Sequence, residues 1–156
     1  MIEHQHDVAG VIAPPPLIYG GTLLLGLLLG TVLPTPFISA PLRWIVAFVF
    51  LALAAVFVAW PILLMTRAGT SPIPETPTTA IVTRGPYAFT RNPIYLGMAF
   101  GYAGVAIGVN SLLTLLLLIP VLFVINRGVI EREERYLERK FGDSYRQYKA
   151  RVRRWL

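Results

Sequence analysis

Hydrophobic positions run in long blocks rather than alternating with polar ones, and the blocks set the elements. Within residues 8–66 the only charge is Arg43, and within residues 92–126 there is none. Uncharged runs of that length point to helices that cross a bilayer, each needing about 20 apolar residues. Residues 17–33 and 42–65 are the first two predicted helices. Pro34, Pro36 and Pro41 make the turn between them tight and non-helical. Pro61 is expected to kink the second helix, because its ring removes one backbone hydrogen bond. In the first helix Gly26 and Gly30 have the G-x-x-x-G spacing that lets helices approach closely in lipid. The plainer reading, that glycine is simply common in membrane helices, is slightly preferred.

Residues 66–91 break the apolar pattern. The run T-S-P-I-P-E-T-P-T-T is expected to be extended. Residues 80–83 either pair briefly as a strand or lie across a site, and Arg84-Gly85-Pro86 reads as a turn. Asn92 and Pro93 read as an N-cap followed by a proline at the first helical position. A third helix should then run to about Gly108, break at Asn110-Ser111, and return over residues 112–125. Each arm is short for a full span, and together they form a tight antiparallel hairpin. Beyond Arg127 the pattern turns amphipathic: Ile130, Leu137, Phe141, Tyr145, Tyr148, Val152 and Trp155 recur on one helical face. Gly142-Asp143 should end one helix and cap the next.

The expected architecture is therefore all-α. It is a polytopic membrane helix bundle of about four transmembrane helices, with a C-terminal amphipathic helical segment on the cytoplasmic face. Residues 1–156 read as one integral membrane domain. It divides into two N-terminal helices (1–65), a cytoplasmic connection (66–91), a hairpin (92–126) and the amphipathic segment (127–156).

Composition sharpens this. Hydrophobic residues make up 55% of the chain and mean hydropathy is +0.62, too apolar for an ordinary soluble domain. The net charge is +6, and ten of the fourteen Lys and Arg residues follow Asn126, beside five acids. A basic tail directly after an apolar segment fits a membrane surface with anionic lipids better than nucleic acid. Arg67, Arg84, Arg91 and that tail should all be cytoplasmic by the positive-inside rule, and both termini with them. Without cysteine there is no disulfide, thiolate metal site or cysteine nucleophile. The start lacks the basic region of a secretory signal. His4 and His6 have no nearby ligand cluster and read as a solvated tail, so no metal is expected.

Candidate chemistry concentrates in R-G-P-Y-A-F-T-R-N-P-I-Y-L-G, residues 84–97. Polar density at the edge of a membrane segment is costly unless it is used. The start of the third helix favours an anionic group, and Arg91 would reinforce it. Glu134 falls on the apolar stripe of the tail, and Arg127, Glu131 and Glu134 share a helix side. Either Glu134 is paired with Arg91 or Arg84, or it holds a cationic or polyhydroxyl ligand; the helix pattern favours the pair. A zwitterionic ligand would fit between the helix start and the acids. No Gly-rich phosphate loop, H-E-x-x-H or Ser-His-Asp arrangement is evident.

V-T-R-G-P-Y-A-F-T-R-N-P-I-Y-L-G, followed after the hairpin by E-R-E-E-R-Y-L-E-R-K-F-G-D-S-Y-R-Q-Y-K-A-R-V-R-R-W, resembles the isoprenylcysteine carboxyl methyltransferase family, itself related to the membrane phospholipid N-methyltransferases. The resemblance covers residues 79–155. It implies S-adenosylmethionine as cofactor, bound from the cytosol in a pocket closed by the C-terminal segment. The methyl group would go to a lipophilic acceptor, a carboxylate or an amine. The resemblance places Thr79, Ala80, Ile81, Val82, Tyr87, Asn92, Pro93, Ile94 and Tyr95 at the cofactor. It puts Glu133 where the family has its cofactor-binding acid and adds Glu134 as the second of the pair. The helix face prefers Glu134, one residue away. Asn92 stands where the family has histidine, and it cannot carry a proton near neutral pH. The family's substrate arginine falls on Val129, so Arg127 is the candidate replacement as catalytic residue. Two other readings remain open: a nicotinamide-dependent membrane reductase of the sterol-reductase type, and a non-enzymatic scaffold whose basic tail binds lipid.

Overall fold

A computed structural model describes residues 7–156, so His4 and His6 lie outside the described residues. The protein is all-helical. Helix α1 is Pro15–Val32, α2 is Ala40–Arg67 and α3 is Pro93–Gly108. Helix α4 runs Leu112–Phe141 and α5 is Asp143–Arg151. Helices α1, α2 and α4 are long and apolar enough to cross a membrane, while α3, with 16 residues, is shorter. Their outward faces carry Leu24, Leu28, Phe48, Ile119 and Phe123, all exposed. Such faces need lipid around them. This is an integral membrane protein.

Helices α2 and α3 lie antiparallel in close contact, because α3 presents glycine to its neighbour. A Cβ on Gly97 would come within 2.9 Å of the Phe57 carbonyl carbon, and one on Gly104 within 3.0 Å of Leu51. Any larger side chain would push the helices apart, which is the close approach small residues provide in lipid. The Gly26–Gly30 spacing is used the same way. Gly26 faces Thr114 and Gly30 faces Ser111 at the start of α4, so the glycines form a packing seam, against the plainer compositional reading.

The end of the bundle away from the polar connection is tied by Thr35, whose hydroxyl accepts from the Leu113 N–H, and by Asn110. Asn110 adopts a left-handed conformation (φ 58°). Its Oδ1 accepts from the backbone N–H of Phe37 and Ile38, and its Nδ2 donates to the Ile38 carbonyl. The expected break at Asn110-Ser111 is thus also the clamp between the α1–α2 and α3–α4 turns.

The second arm of the hairpin departs from expectation. It does not stop at residue 125. Leu112–Leu116 and Leu118–Ile125 are separated only by Leu117, near Pro120, which has no N–H to give to the preceding turn. The helix then widens into a π-type turn at Asn126–Ile130 and continues as Glu131–Phe141. Apolar crossing and acidic segment are one continuous helix. Gly142 ends it at φ 54°, and Asp143 is the first residue of α5 rather than its cap. Pro61 is buried inside α2.

Candidate functional site

A cavity opens at the end of the bundle where α2 finishes and α3 begins. Its empty volume, counting the open solvent at its mouth, is about 860 Å³. Three stretches of chain build it: the 66–91 connection, the first turn of α3, and the acidic part of α4 with α5 behind it.

Ala80, Ile81, Val82, Tyr87, Asn92, Pro93, Ile94, Tyr95, Glu133 and Glu134 all line this one cavity. Residues 80–83 form no strand; they lie across the site. Thr79 faces away from the lining: its N–H donates to Thr70 Oγ1 and its hydroxyl to the Gly69 carbonyl, pinning the loop behind the wall. Arg127 is not brought to the cavity. Its side chain is 63% exposed, pairs with Glu131 at 3.3 Å and lies over the ring of Phe123.

The two adjacent acids have opposite surroundings. Glu134 is 5% exposed and sits between two arginines. Arg91 Nη2 approaches it at 3.1 Å, and Arg154 grips both oxygens, Nε to Oε1 at 3.1 Å and Nη2 to Oε2 at 2.7 Å. That two-pronged fit suits a planar guanidinium. Arg154 Nη1 also reaches Asn126 Oδ1 and Glu131. Glu133 has no ion-pair partner among the described residues. It accepts one hydrogen bond, 2.6 Å long, from the Tyr95 hydroxyl.

Arg154 comes to the site because the backbone beside it is held. The Arg91 N–H donates to the Arg153 carbonyl at 2.9 Å, and Thr90 and Arg153 form an isolated parallel bridge. The Thr90 hydroxyl and Asn92 Nδ2 both donate to the Arg154 carbonyl. Asn92 therefore occupies the N-cap position of α3 without capping it by its side chain, which is spent on the C-terminal segment instead. Pro93 stands at the first helical position as expected.

Five tyrosines, Tyr87, Tyr95, Tyr136, Tyr145 and Tyr148, complete the wall. The Tyr148 hydroxyl donates to the Tyr87 carbonyl at 2.7 Å. Burial pushes the hydroxyls of Tyr87, Tyr145 and Tyr148 well up from the usual tyrosine value, so they stay protonated. Arg91 Nε and Nη1 are buried with no hydrogen-bond partner among the described residues.

Sequence reasoning missed Tyr136, Met65 and Arg154. The first two line the cavity but sit in patterns that periodicity assigns to packing. Arg154 is one of ten basic residues after Asn126, and only the fold singles it out.

The model of the phospholipid methyltransferase family matches residues 42–144. The chain belongs to that family. The match takes in α2, the polar connection, the α3–α4 hairpin and the acid pair. An uncharacterized protein of Haemophilus influenzae is 62% identical over 47 residues, 30% of this chain and 73% of that protein. The protein-S-isoprenylcysteine O-methyltransferase of Schizosaccharomyces pombe is 38% identical over 72 residues, 46% of this chain and 30% of the yeast protein. No solved structure matches the chain.

Proposed function

We propose that the protein is a membrane methyltransferase that binds S-adenosylmethionine in this cavity from the cytosolic side and methylates a lipophilic acceptor. One observation carries the reading. Glu133, a carboxylate with no cationic partner among the described residues, faces a cavity walled by five tyrosines, in a chain of a methyltransferase family.

The residues present fit the cofactor. A carboxylate among aromatic rings suits a cationic group, since ring faces attract cations. The start of α3 and the unpartnered nitrogens of Arg91 suit the carboxylate of an amino-acid moiety. When bound, S-adenosylmethionine supplies an activated methyl group on a sulfonium. The chain's own work is to hold the partners in line and to keep water out. Tyr95 fixes the Glu133 carboxylate at 2.6 Å, and Tyr87 and Tyr148 brace the wall. Asn92 spends its amide on Arg154 and has no part in proton transfer. The lipid-facing flanks of α1, α2 and α4 offer a lipophilic acceptor a route from the bilayer. The basic residues of the polar connection and the tail lie on either side of the cavity residues in the chain, which supports the cytosolic reading by the positive-inside rule.

Calorimetry on the detergent-solubilised protein with S-adenosylhomocysteine and with NADPH tests this. Binding of S-adenosylhomocysteine alone is expected. Selective NADPH binding would show a reductase, and binding of neither would show a scaffold.

A further inference from the structure

The 7–12 segment belongs to no helix, yet it runs along one face of α4 and makes contact at four-residue intervals. The Ile12 N–H donates to the Gly128 carbonyl at 3.2 Å, inside the π-type turn. The Ile12 side chain fills the notch over Gly128, where any Cβ would collide with it. Arg132 Nη1 donates to the Gly10 carbonyl at 2.8 Å. The Tyr136 hydroxyl reaches the carbonyl and carboxylate of Asp7 at 3.0 and 3.1 Å. Lys140 Nζ pairs with the same carboxylate at 2.7 Å. Positions 128, 132, 136 and 140 lie on one stripe of a helix. Between these anchors Ala9 is buried and forms part of the cavity wall.

Tyr136 joins this strap to the opposite wall. Its oxygen also accepts from the Thr78 N–H at 3.1 Å and from Lys140 Nζ at 3.0 Å. Thr78 lines the cavity next to residues 80–82. One hydroxyl thus fastens the strap to the polar connection, and both contribute residues to the cavity lining. Gly10, at φ 61°, lies between Ile12 and the latch, in a left-handed conformation that glycine adopts without strain.

We propose that residues 7–12 are a gate on the cavity, latched by Tyr136 as a positioning residue with Lys140 beside it. Opening it needs the latch hydrogen bonds, the Arg132–Gly10 hydrogen bond and the Ile12 anchor to part while the contacts among α1, α2 and α3 stay in place. The ligand whose exit it controls is the one proposed above, so the two readings are tested separately.

Hydrogen exchange of residues 7–12 and of residues 93–98 is compared in the unsubstituted protein and in Tyr136→Phe, with the S-adenosylhomocysteine dissociation rate measured on both. Tyr136→Phe keeps the ring and removes the latch. Exchange in 7–12 is expected to rise about tenfold, as for a lost buried hydrogen bond, with 93–98 unchanged and dissociation several-fold faster. Lys140→Met, which leaves the Tyr136 hydroxyl in place, should give a smaller shift of the same kind and serves if Tyr136→Phe fails to fold. Unchanged exchange in 7–12, or an equal rise in both segments, overturns the gate. Faster exchange with unchanged dissociation overturns it too, because the strap then moves without controlling the cavity. Failure of the unsubstituted protein to bind S-adenosylhomocysteine overturns the methyl-transfer reading and leaves exchange to decide the gate.

Discussion

Glu133 and Glu134 are neighbours in the chain and opposites in the fold. Glu134 is an inner member of a chain of ion pairs running from Arg127 through Glu131, Arg154 and Glu134 to Arg91. Its charge is matched and its oxygens are occupied. Glu133 faces the cavity with a single neutral donor, Tyr95. A carboxylate that is buried and matched holds structure together; one that is left unmatched beside a cavity has capacity for a ligand. The contrast gives each acid its own signature.

The largest effect should come from the matched side. Glu134→Gln leaves Arg91 and Arg154 without the carboxylate that both of them hold. Removing one partner of a buried pair costs about 3–5 kcal/mol. Thermal melting of the solubilised protein should show a large drop. An unchanged melting temperature would mean the arginines find other partners and the ion-pair chain is not structural.

Glu133→Gln should act on the ligand instead. A lost charged hydrogen bond is worth about 1.5–3 kcal/mol, or on the order of ten- to a hundredfold in affinity. Titration with S-adenosylhomocysteine should show that loss at a near-normal melting temperature. A destabilised protein with normal affinity would place both acids in the structural class.

Arg127→Ala should do least. Its side chain is 63% exposed, and exposed pairs contribute about 0–1 kcal/mol. Methyl transfer and cofactor affinity should stay within about fivefold, a bound set by that range. A large loss of transfer rate at unchanged affinity would instead make Arg127 the residue that orients the acceptor.

The helices were legible because charge is excluded from lipid, so uncharged runs mark them directly. The polar connection, the proline at the start of α3 and the break at Asn110 were legible from backbone chemistry. The π-type turn was not, although the one-residue conflict over the acids has another origin. Phase counted from Ile130 picks out Glu134, and Glu134 is indeed the buried acid, at 5%. Burial here marks the ion pair with Arg91 that the helix pattern favoured. The resemblance picked out Glu133, which faces the same cavity without an arginine. The two routes were answering different questions. The strap, the Tyr136 latch and the Arg154 grip were illegible for a common reason. They join residues 20 to 133 positions apart, and no local period encodes such a contact.

The grip of Arg154 on Glu134 also makes the tail a clasp. Thr90 and Asn92, at the start of α3, hold the backbone of residues 153 and 154, while the Arg154 guanidinium closes on an acid of α4. The entrance to α3 and the acidic end of α4, which the chain joins only by way of the distant Asn110 turn, are thereby fastened to each other directly beside the cavity.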